Sequence, residues 1–320
     1  MMILITGATG FVGGHLLSAL SEKKVSVLGR KEPRGCIHIM HHALPLDERT
    51  DFSEAVQDIR CIIHCAARVH VMDDKSSNAI DAYRDVNTKA TVKLAKQAAK
   101  AGVSRFIFVS SIKSNGESTS LNHPFSHSSA CLPEDDYGRS KAEAEQQLIE
   151  LGRETGIEIV IIRPTLVYGP SVKANFATLL HLVSIGIPLP FGCITNNRRS
   201  LVSVTNLVDL IVTCIDHPKA ANQTFLVSDD NDVSTSEMVK QMARALGKPT
   251  WQLPVPVWCY KLAGKVFNKS DVVDRLTGSL QVDISHTKET LDWVPTQSLQ
   301  EGFKQTADAF LQSKKSSGKA

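Results

Sequence analysis

The chain has 320 residues, 42% hydrophobic and 22% charged, with a formal net charge of +3. This is the composition of a globular protein with a full core and room for two domains, and its charge is too small to argue for a nucleic-acid or membrane partner. Seven cysteines, an odd number without paired spacing, point to a reducing compartment and exclude a disulfide framework. The apolar start leads directly into glycines, so it reads as a strand and not as a signal peptide, and no apolar run approaches the length of a membrane span. A cytoplasmic protein is expected.

In chain order, the candidate strands are "MILIT", "VSVLG", "IHIM", "CIIHCA", "RFIFVS" and "IEIVIIR". Between them, helical patterns run over 13–23, 51–58, about 77–101 and about 135–154. The strands are apolar throughout, as expected when helices cover both faces of a sheet. The alternation predicts an α/β fold with a doubly wound parallel sheet of Rossmann type. After "IIRPTLVYGP" the pattern changes, with Pro164, Pro170, Pro188 and Pro190 interrupting the chain. "SVTNLVDLIVTCIDHP" predicts a further helix, capped near Thr205 or Asn206 and stopped by Pro218. "STSE" at 234–237 is a capping box that opens "MVKQMARAL", with Gly247 beyond its end. Residues 1–167 with about 201–220 are therefore expected to form the main domain. A smaller α/β lobe is expected from 168–200 with about 221–312, and a flexible tail from 313–320.

The stretch "ITGATGFVGG" holds Gly7, Gly10 and Gly13 at intervals of three, between a strand and a helix. A tight strand-to-helix turn needs unrestricted dihedrals, and close approach of backbone to a pyrophosphate excludes a side chain. The helix start then offers free N–H groups to the anion. The loop, with Thr9, Phe11 and Val12 alongside the glycines, is expected to hold a dinucleotide. At the end of the second strand, where an acid would bind the adenosine ribose of NAD, stand Gly29 and Arg30, followed by Lys31 and Arg34; Glu32 comes later. A guanidinium suits a ribose 2′-phosphate, so NADP(H) is favoured and NAD(H) is the alternative.

"DDYGRSKAEAEQQL" places Tyr137 and Lys141 one helical turn apart on one face. A cation beside a phenol stabilises phenolate, which makes the tyrosine a usable proton donor and acceptor. The strand "RFIFVSS" delivers Ser110 and Ser111 to the carboxyl edge of the sheet, where open parallel sheets bind ligands. "HIMHH" brings His38, His41 and His42 close together but lacks metal-ligand spacing, and reads as the polar edge of the third strand. The pair at 73–74, "DD", has no partners for a metal cage. Cys61 and Cys65 read as small core hydrophobes, and Trp251, Trp258 and Trp293 as packing residues.

The glycine spacing, "HCAA" at 64–67, "VN" at 86–87, the serine-bearing strand end and "YGRSK" resemble the extended short-chain dehydrogenase/reductase superfamily. More narrowly, they resemble its nucleotide-sugar epimerase/dehydratase family. "RPTLVYGP", "RRSLVSVTNLVDLI" and "LDWVP" match later landmarks, so the resemblance spans nearly the whole chain. It implies that Tyr137 is the general acid/base, that Lys141 lowers its pKa and binds the nicotinamide ribose, and that Ser111 is the third catalytic member. It further implies that Asn87 supports the site and that Ala66 and Ala67 let the cofactor pass closely. Lys173, Asn175 and Arg199 would bind the sugar-nucleotide diphosphate, with Arg275 as a second arginine. Two departures stand out: Ile112-Lys113 replaces the acid pair of sugar dehydratases, which argues against dehydration, and Asn115 stands where the family has tyrosine.

Three functions follow from the resemblance. The first is an NADPH-dependent 4-ketoreductase of a UDP-4-keto-6-deoxy-amino-sugar in surface-polysaccharide synthesis, favoured through Arg30. The second is a 4-epimerase of UDP-glucose or UDP-N-acetylglucosamine with recycled NAD. A non-catalytic NADP-binding regulator is the third. A homodimer through the helices near 77–101 and 135–154 is the default implied by the family.

Overall fold

The computed structural model describes residues 2–33, 39–69 and 79–316. Strand β1 (Met2–Thr6) enters the glycine loop and helix α1 (Phe11–Ala19) leaves it. Next come β2 (Lys24–Leu28), β3 (Met40–His42) and β4 (Ile59–His64). Residues 53–58 form turns, not the expected helix. Asp51 accepts from the Ser53 N–H at 3.0 Å, and the Phe52 N–H goes to the side chain of Gln97 at 2.7 Å. A pattern this short has too few intrahelical bonds to resist such local competition.

The long helical pattern that follows is not uniform. It consists of α2 (Ala79–Arg84), a π-helical turn over Asp85–Ala90, and α3 (Thr91–Lys100). Then β5 (Arg105–Val109) runs into a 3₁₀ turn at Ile112–Ser114. Helix α4 (Asp136–Thr155) begins at Asp135, whose carboxylate accepts the Gly138 N–H at 2.6 Å, and ends at Gly156 with φ of 80°. Strand β6 (Glu158–Pro164) closes the first half.

Beyond it lie β7 (Leu166–Tyr168), α5 (Ala174–Ile185) and β8 (Leu201–Ser203), with β7 and β8 forming a separate parallel pair. Helix α6 (Val204–Asp216) is capped by Ser203, which accepts the Asn206 N–H at 3.1 Å, two or three residues before the expected cap. After β9 (Gln223–Val227), α7 (Thr235–Ala245) is capped as "STSE" predicts, with Ser234 Oγ accepting the Glu237 N–H at 3.1 Å. The chain ends in α8 (Val257–Val266), α9 (Ser270–Thr277), α10 (Ser285–Leu291) and α11 (Leu299–Ser316). Since α11 continues to Ser316, residues 313–316 of the expected tail are helical.

The main sheet has seven strands in the order β3-β2-β1-β4-β5-β6-β9, all parallel, which is a Rossmann arrangement. The expected boundary at about 221 put β9 in the smaller lobe. Its register with β6, from Val160 opposite Gln223 to Pro164 opposite Val227, puts it in the main sheet. The order reverses between β1 and β4, and this is where the carboxyl ends of the strands open a crevice. Apolar cores fill both faces of the sheet, and a third, around Tyr168, Phe176 and Phe303, anchors the smaller lobe. The lobes are joined by Asp229, a buried carboxylate that accepts from Tyr168 Oη at 2.7 Å, the Ser203 N–H at 2.8 Å and Asn206 Nδ2 at 2.7 Å.

Candidate active site

At the crevice, Gly7 has φ of 73°, and a Cβ on it would stand 2.7 Å from the Ala66 backbone nitrogen. On Gly13 a Cβ would meet the Gly7 carbonyl oxygen at 2.2 Å, so α1 can pack on the loop only with glycine there. Gly10 opens α1 with no side-chain cap, and its first turn holds no acid. Thr9 is exposed at the rim, while Phe11 and Val12 turn inward against the core. A concave backbone closed to any Cβ, an uncapped helix start and the small Ala66 and Ala67 opposite together suit a dinucleotide pyrophosphate.

Behind this cradle His64 is fully buried. It bridges Thr6 Oγ1 and Thr91 Oγ1 at 2.9 Å each, and Thr6 Oγ1 also accepts the Ala66 N–H at 3.2 Å. Burial, with the charge of Lys141, pushes this imidazole down to about 3, so it is neutral and acts as a brace. Asn87, in the π-helical turn, is also fully buried. It accepts the Arg68 N–H at 2.8 Å and donates to the Arg68 carbonyl at 3.1 Å and to Ser140 Oγ at 3.0 Å. It thereby clips the "AAR" segment to α4 one residue before Lys141.

Arg30 lies exposed just beyond β2, and the Gly29 carbonyl is held by His41 Nε2 at 2.8 Å. His41 and His42 lie on β3, at the sheet edge as expected. Arg34, His38 and the pair at 73–74 fall outside the described residues.

The two serines at the end of β5 separate cleanly. Ser110 is buried and donates to Glu145, whereas Ser111 is half-buried, accepts the Lys113 N–H at 3.2 Å and lies near enough to Tyr137 to lower its phenol. Glu145 is in turn paired with Arg163, both almost fully buried, and Arg163 donates to Asn115 Oδ1 at 3.0 Å. Asn115 donates onward to the Ser129 carbonyl at 3.1 Å. Asn115 is thus an internal tie to the 129–130 loop, not a substituted substrate contact.

The Tyr137 phenol is shifted by groups other than Lys141. Burial and the Asp135 carboxylate push the Tyr137 phenol up to about 12, against the lowering effect of Ser111. Lys141 points instead to the Val109 carbonyl at 2.8 Å and over the Phe108 ring at 3.9 Å from its centroid. Burial outweighs the attraction of Glu145 and brings the Lys141 ammonium down to about 7.

A charged chain missed in the sequence crosses the site. Lys113 Nζ reaches Asp135 at 2.5 Å and Glu117 at 2.7 Å, and Glu117 reaches Arg275 Nε at 3.8 Å. Arg199 donates to the Arg275 carbonyl at 2.9 Å, so the two arginines meet although they lie far apart in sequence. Burial, and then the charge of Arg275, lower the Arg199 guanidinium below its ordinary value. Lys173 is exposed at the cap of α5. Asn175 lies in that helix's first turn, its side chain outside what the structure describes. Trp293 is buried and donates to Asp209 at 2.7 Å, but Trp251 and Trp258 are exposed, contrary to a packing role.

The sequence model of the "NAD dependent epimerase/dehydratase family" matches residues 3–228. The chain belongs to this family. A Vibrio cholerae protein named UDP-glucose 4-epimerase is 61% identical over 314 residues, covering 97% of this chain and 95% of its own length. A protein of Escherichia coli O157:H7 named N-acetyl-alpha-D-glucosaminyl-diphospho-ditrans,octacis-undecaprenol 4-epimerase is 27% identical, covering 98% of this chain and 96% of its own. The crystal structure of UDP-glucuronic acid 4-epimerase from Bacillus cereus in complex with NAD superposes with a TM-score of 0.78. It is 21% identical and covers 98% of this chain and 99% of its own, which establishes the shared fold. As a member of the NAD-dependent epimerase/dehydratase family, the protein is an enzyme with short-chain dehydrogenase chemistry. NADP, favoured on Arg30, finds no support in the comparisons, which name NAD.

Proposed function

We propose that the protein is a 4-epimerase of a UDP-sugar, with NAD held and recycled at the glycine cradle. The observation that carries this reading is the 61% identity, over nearly the full length of both chains, to the Vibrio cholerae UDP-glucose 4-epimerase. Gly7, Gly10 and Gly13, with Thr9, Phe11, Val12, Ala66 and Ala67, would hold the dinucleotide, and Arg30 would lie at its adenosine ribose. Bound there, a nicotinamide dinucleotide supplies reversible hydride acceptance from the sugar carbon being inverted. Tyr137 takes the hydroxyl proton from that carbon and later returns it, while Ser111 hydrogen-bonds both the phenol and the sugar oxygen. Asn87 holds the backbone beside Lys141 in register. Arg199 and Arg275, with Lys173 and Asn175 at the start of α5, bind the diphosphate, because converging cations suit its paired oxygens.

Dehydration does not fit, since Lys113 is engaged with Asp135 and Glu117 where an eliminating acid would stand. The reductase reading rests on Arg30, an exposed side chain, and gains nothing else from the fold. A non-catalytic regulator does not fit a chain in which Ser111 and Tyr137 already meet. The main sheet carries the dinucleotide, the smaller lobe the sugar nucleotide, and the outer faces of α3 and α4 form a homodimer.

A second reading has one observation in its favour. The Escherichia coli relative acts, by its name, on a sugar diphosphate carried by undecaprenol, and Arg275 here sits on a helical pair with an exposed apolar face. The experiment is a substrate panel followed by NMR: UDP-glucose, UDP-N-acetylglucosamine and N-acetylglucosaminyl-diphospho-undecaprenol, without added nucleotide. Interconversion at carbon 4 that disappears in Tyr137→Phe supports the proposal. No interconversion of any of the three refutes it.

A further inference from the structure

Helix α8 buries only a narrow stripe. Gly264 packs against Val273 and Ser270 of α9, and Tyr260 stacks on Phe191 at 6.5 Å between centroids. The opposite face is apolar and open: Trp258 is 65% exposed, Leu262 56% and Val266 70%, and Phe267 just past the helix is 73% exposed. Apolar exposure is not confined to the helix. Trp251 and Leu253 are exposed, as are Ile185 and Ile187, and Leu253 donates its N–H to the Leu189 carbonyl at 2.9 Å. Exposed apolar side chains gathered on one helix face mark an interaction surface.

Charge decides what covers it. From Glu237 to Asp271 the chain carries Lys240, Arg244, Lys248, Lys261, Lys265 and Lys269 and no acid. Arg244 pairs with Glu237 at 3.2 Å, whereas Lys261, Lys265 and Lys269 make no ion pair among the described residues. With 3.6 residues per turn, Lys261 and Lys265 share the outward face with Trp258 and Leu262. On the adjoining α9, Asp271 and Asp274 are exposed beside Arg275, so the α8–α9 pair keeps a net positive charge, which disfavours a second copy of itself. Exposed tryptophan and phenylalanine beside lysines whose stems lie along apolar surface are the chemistry of a lipid–water interface. Among the described residues no helix is long and apolar enough to cross a membrane, and a ten-residue helix suits lying in the interface plane.

We propose that the α8 face is a peripheral docking surface for an anionic lipid membrane. This departs from the sequence expectation of no membrane partner, because composition averages out a charge imbalance confined to one segment. Helix α9 carries Arg275 to Arg199, so docking through α8 sets the sugar-diphosphate side of the site next to the lipid surface. The proposal holds whichever sugar diphosphate is the substrate.

The test mixes the full chain with vesicles of phosphatidylcholine alone and of phosphatidylcholine with phosphatidylglycerol, followed by sedimentation and tryptophan fluorescence. The expected result is binding to the anionic vesicles with a blue shift in emission. Lys261→Gln with Lys265→Gln weakens binding about 25-fold at low salt, about fivefold per lysine. Leu262→Glu with Val266→Glu abolishes it, and both variants keep the parent's thermal midpoint and UDP-sugar turnover. Three results would overturn the proposal: wild-type protein left in the supernatant with anionic vesicles, binding unchanged in both variants, or a self-associated species that Leu262→Glu with Val266→Glu dissolves.

Discussion

Replacing Lys141 by Met should make the protein more stable at neutral pH while ending its turnover. Lys141 is 1% exposed, and burial brings its ammonium from 10.5 down to about 7. At about 1.4 kcal/mol per tenfold, holding that charge in the folded state costs roughly 5 kcal/mol at or below pH 7. Methionine has similar length without the charge, but it leaves the Val109 carbonyl without its donor, a loss of about 1–3 kcal/mol. A net gain of about 2–4 kcal/mol is expected for Lys141→Met at pH 7. The sign of the pH dependence follows from the lowered folded value. Between about 7 and 10.5 the unfolded chain binds more protons than the folded one, so wild-type stability rises with pH through that window. Methionine has no such term, and the gap between the two proteins should narrow by about 2 kcal/mol between pH 7 and pH 9. Denaturant midpoints of both proteins across that range measure it. A constant gap, or a variant less stable than wild type at pH 7, would refute the account of Lys141 as a buried charge maintained for function.

Three further expectations can be checked directly. Glu145→Ala strands the Arg163 guanidinium in the core and should cost about 3–5 kcal/mol in a denaturant melt, with Glu145→Gln less damaging because it keeps acceptor geometry. Gly13→Ala forces a Cβ against the Gly7 carbonyl, and calorimetric titration with NAD should show about a tenfold to hundredfold loss of affinity in a folded protein. Arg199→Ala and Arg275→Ala should each raise KM for a UDP-sugar about tenfold to hundredfold with kcat nearly kept, because a contact to the diphosphate is made equally before and during reaction.

What the sequence made legible was local. The glycine loop, the Asp135 start of α4 and the "STSE" cap depend on neighbours a few residues apart, so their spacing alone specifies them. The Tyr137–Lys141 pair was legible as two positions on one helical face, but not the direction of Lys141. That direction is set by Val109 and Phe108 on another element. Strand β9 was assigned to the wrong lobe because an apolar pentapeptide does not name its pairing partner. The Lys113–Glu117–Arg275 chain joins residues up to about 160 positions apart, and no periodicity connects them. The π-helical turn at Asn87 leaves the apolar pattern of a long helix intact, so only the backbone reveals it. Trp251 and Trp258 were misjudged for the opposite reason: composition argues that large aromatics pack, and only burial shows that these two do not.

The central claim is a cofactor recycled in place, and the nucleotide that leaves the purified protein on denaturation tests it most directly. The expected result is NAD in near one-to-one ratio with the chain, together with sugar interconversion that needs no added nucleotide. An empty protein that prefers NADPH and consumes one equivalent per 4-keto-sugar reduced would contradict the account and make Arg30 the determinant of a reductase.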